Sequence, residues 1–178
     1  MDQHHQPDSP LAVDPDRGAR AGIAASLPRR AAARLVDGLV LAVAASVVTM
    51  LLGLDRTTPL GVDSYVRTAL SGVLNAAIYV AYFAYGESGG RQTLGKRCLG
   101  VNVVGPDGGD ISLVQAVTRN VWLACGVAAV VPVVGPLLGG VAAVAAVVTI
   151  SVGINSDETH GRGWHDKLAG GARVVRLT

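Results

Sequence analysis

One acidic residue stands where an apolar helix would not ordinarily carry one. Asp37 lies in the run from Arg29 to Leu54, RRAAARLVDGLVLAVAASVVTMLLGL. The run opens with basic residues and stays apolar for about the 20 residues a helix needs to cross ~30 Å of hydrocarbon. A carboxyl group near the centre of such a helix costs about 2.5 to 3.5 kcal/mol on insertion scales, so something must offset it. Two chemistries are open to it: exchange of a proton or sodium ion, or permanent neutralisation by neighbouring groups in a buried clasp. Arg30, Arg34 and Asp37 are spaced i, i+4 and i+7 and so share one helix face, with Arg34 close enough in sequence to pair with the acid. That face is expected to look into the protein.

Other residues suited to the same chemistry lie further along. Asn75, Tyr79 and Tyr82 repeat the i, i+4, i+7 spacing in a second apolar run, where they either hydrogen-bond across a helix interface or line a polar path. Arg119 follows Gln115 by four residues in a third run. It either snorkels to the headgroups or reaches inward as a counter-charge for Asp37. Asp166 sits beside His165 in the stretch WHDKLAG. No nucleophile or second carboxyl group at a defined spacing accompanies them, so no catalytic residues and no enzymatic activity are expected. Cys98 and Cys125 stand apart, without a further Cys or His at ligand spacing, so neither a metal nor a cofactor is expected. His4 and His5 form a lone pair in a polar tail and are read as incidental. The Gly95-Lys96 pair lacks the Ser or Thr and the glycine spacing of a phosphate loop.

The elements that must position these residues follow from hydropathy and punctuation. Of the 178 residues, 50% are hydrophobic and only 16% charged, the profile of an integral membrane protein. The net charge of +2 gives no reason to expect a nucleic-acid partner. We expect an all-α membrane protein with four transmembrane helices at about 31–54, 66–85, 112–131 and 137–154. The third and fourth form a hairpin broken at Pro132 to Pro136. The first run is too long for the apolar core of a signal peptide and is read as a retained span. Gly135, Gly139 and Ala143 recur every four residues and form a groove that lets another helix approach closely. Between the second and third runs, the glycine-rich segment 86–111 is expected to contain a strand at Leu99 to Val104, a GPDGG turn and a short β-hairpin-like segment. Its basic residues Arg91, Lys96 and Arg97 are expected to face anionic lipid. Ala172 to Leu177 is expected to form either a brief strand or an amphipathic end.

Charge distribution sets the expected topology. Of the fifteen Lys and Arg residues, only Arg56 and Arg67 fall in the first loop. With both termini cytoplasmic, the other thirteen lie inside, as insertion favours. Residues 1–28 are read as a disordered cytoplasmic tail and 29–178 as the transmembrane domain.

Taken together, Arg30 with Asp37 seven residues on, then QTLGKRCLGVNVVGPDGG, then Arg119-Asn120, then WHDKLAG, resemble the RDD family of small bacterial membrane proteins. The resemblance covers about residues 27 to 176. The arginine and two aspartates of the family's name map onto Arg30, Asp37 and Asp166, and Gly171-Ala172 stand where the family usually has a Thr. The resemblance implies a location in the cell membrane and a suggested role in transport, some members looking like sodium–proton antiporters. Two functions are therefore weighed. In one, the Arg–Asp cluster is a structural clasp in a membrane scaffold or accessory protein. In the other, Asp37 couples proton or sodium movement with Asn75 and Tyr79 beside it and Arg30, Arg34 or Arg119 as counter-charges. The expected partners are the lipid bilayer, a further copy of the chain or another membrane protein and, for transport, a proton or sodium ion.

Overall fold

The computed structural model describes residues 22–54, 62–131 and 134–177. Helix α1 spans Leu27–Leu51, with Pro28 in its first turn, where the missing N–H costs no hydrogen bond. Helix α2 spans Val62–Glu87. The short helix α3 (Leu94–Cys98) leads into strand β1 (Val101–Val104). Helix α4 (Leu113–Asn120) starts in a capping box: the Ser112 hydroxyl accepts from the Gln115 N–H, and the Gln115 side chain accepts from the Ser112 N–H. It runs into a 3-10 helix, Val121–Val130. Helix α5 spans Val134–Ser156, α6 spans Trp164–Leu168 and strand β2 spans Arg173–Arg176.

Three helices are long and apolar enough to cross a membrane, over Leu27–Leu51, Val62–Glu87 and Leu137–Ser156. Their aliphatic side chains project outward: Leu39, Val43 and Met50 on α1 and Val141 and Val144 on α5 are all exposed. Only 6% of the apolar window of α5 is buried, an arrangement suited to hydrocarbon rather than water. The third expected span is not one α-helix, because its second half winds as a 3-10 helix. The expected break at Pro132 to Pro136 is described only from Val134 on. Pro136 lies in the first turn of α5 rather than outside it.

The groove expected from Gly135 and Gly139 is present, and it explains how the 3-10 helix and α5 fit. A Cβ on Gly135 would lie 2.0 Å from the Ala128 carbonyl oxygen, and one on Gly139 would lie 2.7 Å from that of Cys125. Three residues of 3-10 helix rise ~6 Å, and so do four residues of α-helix. Carbonyls every third residue therefore meet glycines every fourth.

The buried core sits at one end of the bundle. Ala25, Ala33, Ala84, Val101, Ile111 and Val174 belong to a single cluster there. Strand β1 does not fold back on the segment after the GPDGG turn. It pairs antiparallel with β2, Val101 opposite Arg176 and Val104 opposite Arg173. The turn itself is closed by the Gly105 N–H donating to the Gly109 carbonyl at 2.7 Å. The expected hairpin is thus a ribbon between distant segments, in which the adjacent Val174 and Val175 of β2 are both buried, one on each face, and Val174 joins the core cluster. Ala24 extends the ribbon by bridging Val175. Residues 22–26, assigned to the tail by composition, thus lie alongside β2, while residues 1–21, with His4 and His5, fall outside the described residues. The two described ends of the chain meet at the same end of the bundle as the starts of α1 and α4 and the ends of α2 and α5.

Candidate functional site

On α1 the buried residues are Arg30, Ala33, Asp37, Leu41 and Ala45, one continuous face, as the spacing predicts. Asp37 is fully buried. Its Oδ1 accepts from the Tyr82 hydroxyl at 2.8 Å and from the Gly95 N–H at 2.7 Å, and its Oδ2 accepts from the Thr93 hydroxyl at 2.6 Å. Tyr82 in turn accepts from the Leu94 N–H at 3.0 Å. Glycine is required at position 95 because a Cβ there would lie 2.1 Å from the Ala33 carbonyl oxygen and 3.0 Å from the Asp37 carboxyl carbon. The glycine-rich sequence after α2 therefore docks α3 directly onto α1 and aims a backbone donor at the acid.

The expected pairing of Arg34 with Asp37 is not what the side chains adopt. Helical side chains lean toward the N-terminus, which carries the Arg34 guanidinium away from a residue one turn further on. It lies 3.9 Å over the Phe83 ring and donates through Nη2 to Asn120 Oδ1 at 2.7 Å and Glu87 Oε1 at 3.2 Å.

Glu87, at the end of α2, is the centre of a second cluster. It is buried, and the Lys96 ammonium donates to its Oε1. Its Oε2 accepts from Arg119 Nη1 at 2.7 Å and Asn120 Nδ2 at 2.8 Å. Arg119 also donates through Nε to Asp166 Oδ1 at 2.6 Å, so one guanidinium bridges two carboxylates. Asp166 Oδ2 accepts from the Gly163 N–H at 3.1 Å, and Arg30 Nη1 approaches it to 4.0 Å. Arg30 is otherwise spent on backbone, donating to the carbonyls of Ala25, Gly161 and Val174 at 2.9, 2.6 and 3.1 Å. It thereby ties α1 to the segment before α6 and to β2.

These contacts correct several expectations. Arg119 neither snorkels nor meets Asp37: it is buried against Glu87 and Asp166, because those two acids, from α2 and α6, flank α4. Lys96 is buried rather than facing lipid, since the close docking of α3 turns it onto Glu87, whereas Arg91 and Arg97 are exposed. Asn75 lies outside the cluster and donates to the Ser71 carbonyl at 2.7 Å on its own helix. Tyr79 makes one long contact, 3.5 Å to the Gly38 carbonyl, and of the expected trio only Tyr82 reaches the acid. Asp37 and Asp166 are held by different donors and share none.

Electrostatics of the groups outside the spans follow from burial and pairing. Burial alone would raise the Asp166 pKa, but Arg119 and His165 beside it hold it below the usual carboxylate value. Burial pushes the His165 imidazole down to about 4 although Asp166 pulls the other way. Lys96 is drawn down to about 7 by burial, against the pull of Glu87. At the end of α5, hydrogen bonds from Arg162 and His160 bring Asp157 down to about 2. Chemically, the cluster gives every buried carboxyl oxygen at least one donor. Among the described residues no group of three or more His, Cys, Asp or Glu side chains is placed to hold a metal ion.

Sequence reasoning missed Glu87, Thr93 and Lys96. Arg119 and Asn120, adjacent in an otherwise apolar run, were the available signal that a further acid must face them. A family model described as the RDD family matches residues 24–170, most of the chain. No curated protein matches the chain, nor does any solved structure. The matched residues take in α1 with Arg30 and Asp37, the docked α3 segment, Arg119 and Asp166, and the chain belongs to the RDD family.

Proposed function

We propose that this integral membrane protein is a structural or accessory scaffold of the cell membrane, in which the buried Arg–Asp–Glu cluster clasps the helix ends together. The observation that carries this reading is that no carboxyl oxygen lacks a protein donor: both oxygens of Asp37, Glu87 and Asp166 have protein partners within 3.1 Å or, at Glu87 Oε1, the Lys96 ammonium. Fixed donors from several elements suit a permanent tie better than a site that fills and empties with an ion.

The reading places both termini on the cytoplasmic side after four crossings. Two features support it. The described ends pair through Ala24 and Val175, which calls for an even number of crossings. The eight residues of α4 and ten of the 3-10 helix rise together ~32 Å, enough for the hydrocarbon core. Its partners are the bilayer and a further copy of the chain or another membrane protein.

The test is Asp37→Asn in purified protein and in sealed vesicles. The scaffold reading expects a lower melting temperature in detergent and no dissipation of an imposed proton or sodium gradient by the parent beyond that of empty vesicles. Gradient-dissipating activity in the parent, lost in a folded Asp37→Asn, would replace it with the transport reading.

A further inference from the structure

A cavity of about 420 Å³ opens beside the charge cluster, between α1, α2, the 3-10 helix, α5 and α6. The polar side chains in its wall spend their donors elsewhere. Arg30 donates to three backbone carbonyls, Lys96 to Glu87, Arg119 to Glu87 and Asp166, and Ser151 to the Val147 carbonyl at 2.8 Å on its own helix. The rest of the wall is largely apolar, formed by Leu35, Phe83, Leu123, Val147, Ile150 and Ile154. A water settles in a cavity only with two to four polar partners, and the donors here are already taken. Left empty, the cavity would forfeit the dispersion contacts of its whole lining, so an apolar guest suits it best.

The mouth and the far end of the cavity narrow the choice of guest. Leu35 and Val147 are 66% and 49% exposed on α1 and α5, so the apolar wall continues onto the helix surface that meets hydrocarbon. Tyr79, Trp122 and Leu123 also line a second cavity of about 460 Å³, which small residues of α2 and α5, among them Ala76 and Gly139, carry further from the charged end. Between Gly139 and Ile154 the two extend along ~22 Å of helix, more than the ~15 Å depth of one leaflet's hydrocarbon. A helix from a second copy is too thick for such a slot: at about 10 to 12 Å across, one turn alone has a volume of about 400 to 600 Å³.

The structure assigns this slot to one acyl chain of a membrane lipid, entering between α1 and α5 at Leu35 and Val147 and lying along Trp122 toward the small residues of α2 and α5. The chain is recognised and the headgroup is not, because the wall's charged groups are committed to one another. The site stands whether the cluster clasps or couples ions, since it draws on none of the carboxylates.

The test uses tryptophan fluorescence, since the chain has two Trp residues and one of them lines both cavities. The full chain carrying Trp164→Phe, purified in detergent and stripped of lipid, reports from Trp122 alone. Phosphatidylcholine with brominated acyl chains, whose bromines quench an indole on contact, should lower the emission to a plateau reached at one lipid per chain. Phosphatidylglycerol with the same chains should titrate within about twofold of it. Quenching that rises without a plateau, the absence of quenching, or a tenfold preference for either headgroup would overturn the assignment. Gly38→Leu narrows the first cavity and Gly140→Leu the second, each from a position where an added Cβ meets nothing within 4 Å. Both should melt like the Trp164→Phe chain without lipid yet bind the brominated lipid about tenfold more weakly. Undiminished quenching in either folded variant would refute the site.

Discussion

Arg119 and Glu87, 32 residues apart in the chain, meet at 2.7 Å in the buried interior. The same guanidinium reaches Asp166, so the contact links the end of α2 to α6 through α4. Lys96, Arg34 and Arg119 all converge on Glu87. Removing that one charge leaves the buried Lys96 and Arg119 and the partly buried Arg34 without their shared partner, and breaking a buried pair typically costs about 3 to 5 kcal/mol. Glu87→Gln should therefore lower the detergent melting temperature markedly, while Glu158→Gln on the exposed surface should leave it unchanged. Matching melting curves for the two variants would contradict the role given to Glu87.

Gly95→Ala tests the docking of α3. The added methyl would meet the Ala33 carbonyl at 2.1 Å, and both atoms belong to backbone, so α3 must move away and carry its N–H from Asp37. The expected loss is about 1 to 3 kcal/mol from overpacking, with that of the hydrogen bond added. Chemical denaturation would check it; stability within 0.5 kcal/mol of the parent, about the scatter of surface substitutions, would show that α3 does not rest on α1.

The match of the 3-10 helix to α5 makes a separate prediction. Gly135→Ala puts a Cβ 2.0 Å from a backbone carbonyl, whereas Gly140→Ala meets nothing within 4 Å. The first should destabilise by about 1 to 3 kcal/mol and the second should be neutral or slightly stabilising, since alanine favours a helix over glycine. Paired melting curves in one detergent separate the two, and equal effects would count against the close approach.

Acid should loosen the fold through His165 before it reaches Asp166. With the imidazole at about 4 in the folded chain and 6.5 when unfolded, the unfolded state binds the extra proton between those values. Stability should therefore fall as pH drops from 6.5 to 4, by up to about 3 kcal/mol from this group. Asp166, held below its ordinary value of 3.8, costs stability only at still lower pH. His165→Gln should flatten the stability profile between pH 6.5 and 4; an unchanged slope in the variant would assign it to other groups.

Much of this arrangement was legible in the sequence. Apolar runs near 20 residues located the long helices to within four or five residues at each end, and the i, i+4, i+7 spacing put Arg30 and Asp37 on a buried face. Glycines every four residues announced a close helix contact. The pairings were not legible, because they depend on which loops fold under which helix ends. Glu87 looked like part of a punctuated loop, yet α2 continues to include it. Lys96 looked like a surface base until Gly95 permitted α3 to press against α1. Strand β1 has its partner β2 about 70 residues away in the chain, a separation that turn signals do not encode.

A double-mutant cycle between Arg119 and Asp166, read as thermal or denaturant stability of the purified chain, tests the clasp most directly. The account predicts a favourable coupling of about 1.5 kcal/mol or more, because the pair is buried and 2.6 Å apart. Strictly additive losses from Arg119→Met and Asp166→Asn would show that the two charges do not hold the structure together, and would contradict it.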